Sequence, residues 1–199
     1  MTAVDGRRER GARSRRAIMR LAVNIASVQG LDGLSIGGIA SDASISKSGV
    51  VALFGTKEQL QLATIETARE IFVDEVIRPT LAVAGGRDRL DALIHNWLEY
   101  SRTRVFEGGC FFAAAIIEVG SKPGQVRDSV ASAVDDWYEF VTRTVARAQQ
   151  KGDLAASLDA GQLAFEITAF LDAANARSLI TGSAQPYEAA ATAARRALG

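Results

Sequence analysis

Three residues that can cap the start of a helix follow one another at short intervals: Ser35, Ser46 and Thr56. A hydroxyl at such a position accepts a hydrogen bond from a backbone N–H of the first helical turn, which has no partner within the helix. Apolar residues follow each of them at helical spacing. The pattern therefore predicts a helix of about two turns after Ser35, a second short helix after Ser46 and a longer helix after Thr56.

The segment between the first two of these helices is short. Ala43, Ser44 and Ile45 interrupt the helical pattern, so the second helix, from Lys47 to Phe54, is expected to follow through a tight turn. Two helices joined by a four-residue turn allow the first to lie on the DNA backbone while the second enters the major groove. The same arrangement is also an ordinary packing element of all-helical domains.

An amphipathic helix is predicted upstream, over residues 13–29. Its apolar face comprises Ile18, Leu21, Ala22, Ile25 and Ala26, and its opposite face comprises Arg13, Arg16 and Arg20. The helix is expected to end at Gly30, because glycine readily adopts the left-handed conformation that closes many helices. Residues 1–12 have no apolar periodicity, and a flexible basic arm is predicted there.

Composition favours helix in the rest of the chain. The 199 residues include 35 alanines but only three prolines, and 48% are hydrophobic against 23% charged. This balance predicts an all-α globular fold rather than a disordered or sheet-rich one. The single cysteine, Cys110, excludes an internal disulfide framework and a cysteine-rich zinc site. We expect no cofactor, no metal, no membrane span and no export signal, and a reducing cytoplasm as the setting.

The zero net charge conceals an uneven distribution. Residues 1–57 contain nine basic and four acidic side chains, a net charge of +5, so residues 58–199 carry −5. A basic segment joined to an acidic body is typical of a protein that binds a polyanion through one end. A solvated arginine-rich tail would give the same count.

Residues 35–60 read SIGGIASDASISKSGVVALFGTKEQL. Without gaps, this segment resembles the motif T-V-x-x-I-A-x-x-A-G-V-S-x-G-x-L-Y-x-Y-F-x-S-K-E-x-L of the tetracycline-repressor family of bacterial transcription regulators. Identical positions include Ile39, Ala40, Ala43, Ser46, Phe54, Lys57, Glu58 and Leu60. The detailed resemblance covers roughly residues 13–65. It implies an all-α fold with a three-helix DNA-binding domain over residues 13–57, its helix-turn-helix at about 35–54, and an effector-binding and dimerisation domain over residues 58–199.

The resemblance also implies which side chains contact DNA. They are Arg15, Arg16, Ser35, Ser46, Lys47, Ser48, Val51, Thr56 and Lys57. Helix capping alone would equally explain Ser35 and Thr56. A solvated helix face would equally explain the two arginines.

This chain departs most clearly from the family motif at four positions. Ser44 replaces the turn glycine, Ser48 replaces a glycine of the second helix, and Val51 and Leu53 replace two aromatic residues. Hydrogen-bonded reading of bases would then fall mainly to Lys47 and Ser48, while Val51 offers apolar contact to a thymine methyl group.

The pattern of the body predicts helices at about 57–78, 87–105, 109–120, 124–151, 159–181 and 185–198, separated by glycine-containing breaks. In the family, the corresponding helices enclose a cavity for a small effector. The resemblance implies that Trp97, Phe111, Phe112 and Trp137 line it. Aromatic residues at helical spacing more commonly form a core, so this alternative stays open for each of the four. No role is assigned to His95 or Cys110.

The last two helices, residues 159–198, are rich in alanine, which permits close helix packing. By resemblance they pair with the same helices of a second copy, and the homodimer binds a palindromic operator in double-stranded DNA. A hairpin buried within one chain would show the same pattern.

The implied function is that of a sequence-specific transcriptional regulator, a repressor released by a small-molecule effector. No catalytic constellation is visible in the sequence, so we expect no enzyme. The alternative is a ligand-binding or interaction module whose DNA-reading head has degenerated.

Overall fold

The computed structural model describes the backbone of residues 3–199 and the side chains of residues 14–199. All regular secondary structure in this range is helical, which confirms the all-α prediction. In chain order the elements are α1 (Ala3–Gln29), α2 (Ile36–Asp42), α3 (Lys47–Phe54), α4 (Lys57–Phe72), a π-helical turn (Val73–Ile77), α5 (Arg78–Ala82), α6 (Arg87–Arg102), α7 (Phe111–Val119), α8 (Gln125–Gln150), α9 (Ala160–Thr181) and α10 (Gln185–Ala197).

The first three helices, which we call the head, pack around the start of α4. Leu34, Ile39, Val50 and Leu60 are each at most 1% exposed and form the centre of this cluster. Full burial of a side chain of this size contributes roughly 1.5–3 kcal/mol, so these residues fix two helices too short to be stable alone.

The observed start of α1 differs from the sequence prediction. Backbone helix begins at Ala3, whereas the sequence predicts a flexible arm over residues 1–12 and a helix only from residue 13. Adding a residue to an existing helix is much less costly than starting one, and the buried turn around Ile18 provides that start. Apolar periodicity is not required for such an extension.

The helix predicted at 57–78 also continues further than expected. It passes from α4 through the π-helical turn into α5 and ends at Ala82. Pro79 lies in the first turn of α5, directly after the wider turn. A proline has no N–H to donate and its ring crowds the preceding turn, and a local widening accommodates both effects.

The remaining helices, which with α4 and α5 form the body, surround α6. This helix contacts α5, α8, α9 and α10. Its buried Trp97 and Tyr100 join a series of edge-to-face aromatic contacts, in which the Tyr100 ring lies 5.3 Å from Phe72 and 5.8 Å from Phe106. Pairs of this kind contribute about 0.5–1.5 kcal/mol beyond burial, so they help to define a single packing of the body.

Candidate functional site

The turn between α2 and α3 is built as the caps predict. The Ser35 hydroxyl accepts a hydrogen bond from Gly38 N at 3.0 Å, and the Ser46 hydroxyl accepts one from Gly49 N at 3.1 Å. Ser44 has a φ of 54°. A residue with a side chain therefore adopts the left-handed conformation that the family motif gives to glycine, at a cost of roughly 1 kcal/mol.

Helix α3 presents its polar side chains outward. Lys47, Ser48 and Val51 are exposed, while Val50 and Phe54 anchor the opposite face in the head. The aliphatic part of the Lys47 side chain passes over Gly37 of α2, where a Cβ atom would lie 3.3 Å from Lys47 Cε. This close passage directs the ammonium group along the surface of the helix-turn-helix.

The start of α4 carries two further predicted DNA contacts. The Thr56 hydroxyl accepts from Gln59 N, and the Gln59 side chain accepts from Thr56 N, both at 3.2 Å. Lys57 Nζ donates to the Asp32 carbonyl oxygen at 2.6 Å. The hydroxyl can still donate one hydrogen bond and the ammonium two more, so these intramolecular roles leave both groups able to bind a phosphate.

The two arginines of α1 that are predicted to contact DNA have different environments. Arg15 Nη1 donates to the Leu53 carbonyl oxygen at 2.8 Å, and its guanidinium lies 4.7 Å from the centre of the Phe54 ring. Arg15 therefore joins α1 to the end of α3, a structural role that the sequence prediction did not include. Arg16, the next residue of α1, is exposed.

A second feature is a cavity of about 270 Å³ within the body. Helices α4, α6, α7, α8 and α9 supply its walls. Three of the four predicted residues line it, namely Trp97, Phe112 and Trp137. The lining also includes Arg69, Phe72, Cys110, Ala113, Ile116, Ala133, Val134, Tyr138, Phe165, Thr168, Ala169 and Asp172.

Phe111, the fourth predicted residue, lies elsewhere. It is 1% exposed, and its ring packs 5.9 Å from Phe106 and 5.3 Å from Phe112. Successive residues on a helix point about 100° apart, so only Phe112 of this pair lies on the cavity side of α7. Phe111 is therefore a core residue, which is the alternative that the sequence left open for it.

Helix α9 also contributes to the cavity, which the sequence pattern did not lead us to predict. Phe165, Ala169 and Asp172 lie on one face of this helix and line the cavity. The sequence did contain a signal for this face. The three residues are spaced four and then three positions apart, and the carboxylate stands among small and apolar neighbours.

The ionisable groups of the cavity are in unusual surroundings. Asp172 lines the cavity and keeps part of its surface exposed, and desolvation of its carboxyl group raises its pKa to about 6. Burial raises the pKa of the Cys110 thiol to about 11. Tyr100 lies outside the cavity lining; its hydroxyl is buried without a hydrogen-bond partner among the described residues, and desolvation raises its pKa well above the ordinary value.

Helix α7 connects this cavity to the head. Phe112 and Ile116 face the cavity, and the carboxylate of Glu118 accepts hydrogen bonds from Leu31 N and Asp32 N, both at 2.7 Å. Leu31 and Asp32 lie in the loop between α1 and α2. Helix α7 therefore contacts both the cavity and the loop that precedes α2.

Two further contacts join the body to the head; together with the Glu118 hydrogen bonds they form what we call the junction. Lys122 Nζ pairs with the Asp32 carboxylate at 2.6 Å, and this hydrogen bond lowers the pKa of Asp32. Gly108 N donates to the Ser27 hydroxyl at 3.0 Å, and a Cβ at Gly108 would lie 1.8 Å from the Ser27 carbonyl oxygen. The approach of the body to α1 at this point therefore requires glycine.

Helices α9 and α10 form a hairpin with an exposed groove of small residues. Phe170, Ala173, Ala189 and Ala193 line the groove, together with Arg177. The hairpin also exposes Ile180, of which 86% is accessible. A surface of this type permits close approach of another helical pair.

Over residues 3–199, no helix combines the length and the apolar character needed to cross a bilayer. Among the described side chains, no group of three or more His, Cys, Asp or Glu residues is arranged to hold a metal ion.

Comparison with known proteins supports this description. Residues 86–194 match the model of the tetracyclin repressor-like C-terminal domain. No curated protein matches the sequence.

Solved structures share the fold. A TetR transcriptional regulator from Chloroflexus aurantiacus is 26% identical, with a TM-score of 0.86 over 94% of this chain and 95% of that one. AibR, solved with isovaleryl coenzyme A and operator DNA, is 20% identical, with a TM-score of 0.68 over 82% of this chain and 86% of that one. A putative transcriptional regulator from Saccharomonospora viridis, solved with choline, is 19% identical, with a TM-score of 0.78 over 93% and 95%.

Proposed function

The chain belongs to the tetracycline-repressor family of transcriptional regulators, and we propose that it is a homodimeric repressor that leaves its operator when a small molecule occupies the cavity of the body. The observation that carries this proposal is the course of α7. One face of this helix lines the cavity through Phe112 and Ile116, and its last turn holds the head through Glu118. One rigid element therefore contacts both the ligand-binding space and the DNA-reading part.

The head supplies the chemistry for binding DNA. Lys47 and Ser48 lie exposed at the start of α3, where they can reach base edges or phosphates in the major groove. Ser35, Ser46 and Thr56 hold helix N-termini at the surface, and backbone N–H groups there attract phosphate. Exposed Val51 is suited to contact a thymine methyl group. Arg16 adds a cation for the DNA backbone, while Arg15 acts through its contacts with Leu53 and Phe54.

The α9–α10 hairpin is the proposed dimer interface. Its groove of alanines and the exposed Ile180 are suited to packing against the same hairpin of a second copy around a twofold axis. A twofold dimer would present two α3 helices to DNA and would read a palindrome with half-sites about one helical turn apart.

The size of the cavity limits the effector. The cavity volume of about 270 Å³ is near the lower end of small-molecule sites, which typically measure about 300–1,000 Å³. AibR was solved with a coenzyme A ester, a molecule much larger than this space, whereas the S. viridis protein was solved with choline, a small one. The proposed effector is a small molecule of the latter size class.

Selection from a random duplex library tests the function. The protein is incubated with the library at about physiological salt, the retained duplexes are sequenced, and the best one is titrated with salt. We expect an enriched palindrome, and a dimer by sedimentation. Weak binding to every duplex without enrichment would contradict the proposal and favour a degenerate head.

A pair of charge-matched variants localises the binding. Lys47→Ala removes a positive charge from α3, and Arg143→Ala removes one from the exposed side of α8, where it pairs with Glu139 at 2.8 Å. Only the first change is expected to weaken binding to the selected duplex. Equal losses would show that the affinity comes from net charge rather than from the head.

A further inference from the structure

Aromatic rings dominate the wall of the cavity. Phe72 stands nearly perpendicular to Trp137, at 5.1 Å, and to Phe112, at 6.2 Å. Trp97, Tyr138 and Phe165 complete the aromatic lining. The face of an aromatic ring carries partial negative charge, so a ring that turns its face towards a bound cation attracts it.

The charged groups of the cavity do not balance. Arg69 pairs with Asp136 of α8, so its charge is compensated. Among the described side chains, no cation pairs with Asp172. Arg104, which does not line the cavity, donates to Ser178 Oγ at 3.0 Å and to Tyr187 Oη at 3.3 Å. Asp172 therefore leaves one negative charge at the cavity without a protein counter-ion.

We propose that the cavity binds a small organic cation, whose charge is neutralised by the Asp172 carboxylate and whose apolar part contacts Phe72, Trp97, Phe112 and Trp137. This inference rests on the proposed ligand-binding function and names its ligand class. A cation supplies the missing counter-ion and gains cation–π attraction from the rings. A neutral molecule leaves the carboxylate uncompensated, and an anion is repelled by it.

Binding of such a cation is coupled to the protonation of Asp172. In the empty cavity its pKa is raised to about 6 by apolar surroundings, and a cation beside it favours the charged carboxylate. The other ionisable groups that line the cavity are Arg69, Tyr138 and Cys110, and the thiol, with a pKa of about 11, stays protonated at neutral pH. Affinity for a permanent or fully protonated cation should therefore fall as the pH is lowered from about 7.5 to about 5.

Three probes of similar size and different charge test the proposal: 2-phenylethylammonium, 2-phenylethanol and phenylacetate. Their affinities are measured by tryptophan fluorescence and calorimetry on the full chain at about pH 7.5. We expect the cation to bind at least about tenfold more tightly than the alcohol, and the anion to bind weakest, since charge is the main difference. Equal affinities for cation and alcohol, or no detectable binding of the cation, would overturn the proposal.

Two matched variants assign the effect to one carboxylate. Asp172→Asn should reduce the preference for the cation over the alcohol by about tenfold and leave the affinity for the alcohol nearly unchanged. Asp135→Asn removes the same charge from an exposed position on α8 and should leave the preference unchanged. An unaltered preference in Asp172→Asn would show that the carboxylate is not the counter-ion.

Operator selection is measured separately from ligand binding, so that the two proposals can fail independently. If the cation binds through Asp172 but the protein selects no operator, the ligand class stands and the repressor function fails. If an operator is selected but the cavity shows no preference for the cation, the repressor function stands and this inference fails.

Discussion

The carboxylate of Glu118, in the last turn of α7, accepts a hydrogen bond of 2.7 Å from the backbone N–H of Leu31, 87 residues away in the chain. Gln61 Nε2 of α4 donates to the carbonyl oxygen of the same residue at 2.8 Å. Both polar groups of the buried Leu31 are thus satisfied by the body. The position of the loop between α1 and α2 is therefore set by the helix that lines the cavity.

Replacing the Glu118 carboxylate should weaken the coupling between the cavity and the head. Glu118→Gln keeps the size of the side chain but loses its charge and one acceptor oxygen, so one backbone N–H of the loop loses its partner. We expect a loss of about 1–3 kcal/mol in the free energy of unfolding, measured by urea denaturation. The response of DNA affinity to a cavity ligand should also become smaller.

Glu139→Gln, at an exposed position on α8, serves as the control and should change neither quantity appreciably, since an exposed pair with Arg143 contributes little. If Glu118→Gln changes neither the stability nor the response of DNA affinity to a cavity ligand, the Glu118 contacts do not couple the cavity to the head.

Lys47 should contribute a definite share of the salt dependence of DNA binding. We expect Lys47→Ala to weaken binding to the selected duplex by about tenfold and, if the ammonium binds a phosphate, to reduce the slope of log K against log salt by about 1. Fluorescence anisotropy over a range of salt concentrations measures both. A loss of affinity confined to particular base pairs, with an unchanged slope, would instead assign Lys47 to base reading.

Because Ser44 adopts a left-handed backbone conformation, we expect its replacement by glycine to stabilise the protein. Ser44→Gly relieves the conformational cost of a φ of 54° but increases the entropy of the unfolded chain. The net gain should be about 0–1 kcal/mol in the free energy of unfolding. Ser41→Gly, made within α2, should instead lose about 0.5–1 kcal/mol. Equal losses for the two variants in urea denaturation would contradict the strain at Ser44.

The carboxyl group of Asp172 should lower the free energy of unfolding of the unliganded protein as the pH rises. Its pKa is about 6 in the folded protein against an ordinary value of 3.8, so between these values the folded state binds more protons than the unfolded chain. The contribution of this group is therefore largest below the unfolded value and is lost as the pH rises through about 6.

Asp172→Asn removes this contribution. We expect the Tm of the variant to exceed that of the wild type at about pH 7.5, and the difference to shrink towards pH 4. Asp135→Asn, with its exposed carboxyl, is the matched control and should show no such trend. A Tm difference that is constant with pH would mean that Asp172 titrates normally.

Local sequence determined the helix-turn-helix almost to the residue, whereas α1 begins ten residues before its predicted start. Ser35, Ser46 and Thr56 begin their helices as predicted, and Gly30 ends α1, with a φ of 78°. A cap and the helix that it starts lie within a few residues of each other, so their interaction depends little on distant parts of the chain. The same holds for the all-α character, which follows from many local preferences acting together.

Tertiary structure decided which side chains meet. The sequence could not distinguish Phe111, which is in the core, from Phe112, which lines the cavity, since that depends on the rotation of α7 against α8. Nor could it place Asp172 at the cavity or Glu118 on the loop of the head, because these contacts join residues far apart in the chain. Helical periodicity specifies a buried face, but only the packing of all the helices specifies what that face surrounds.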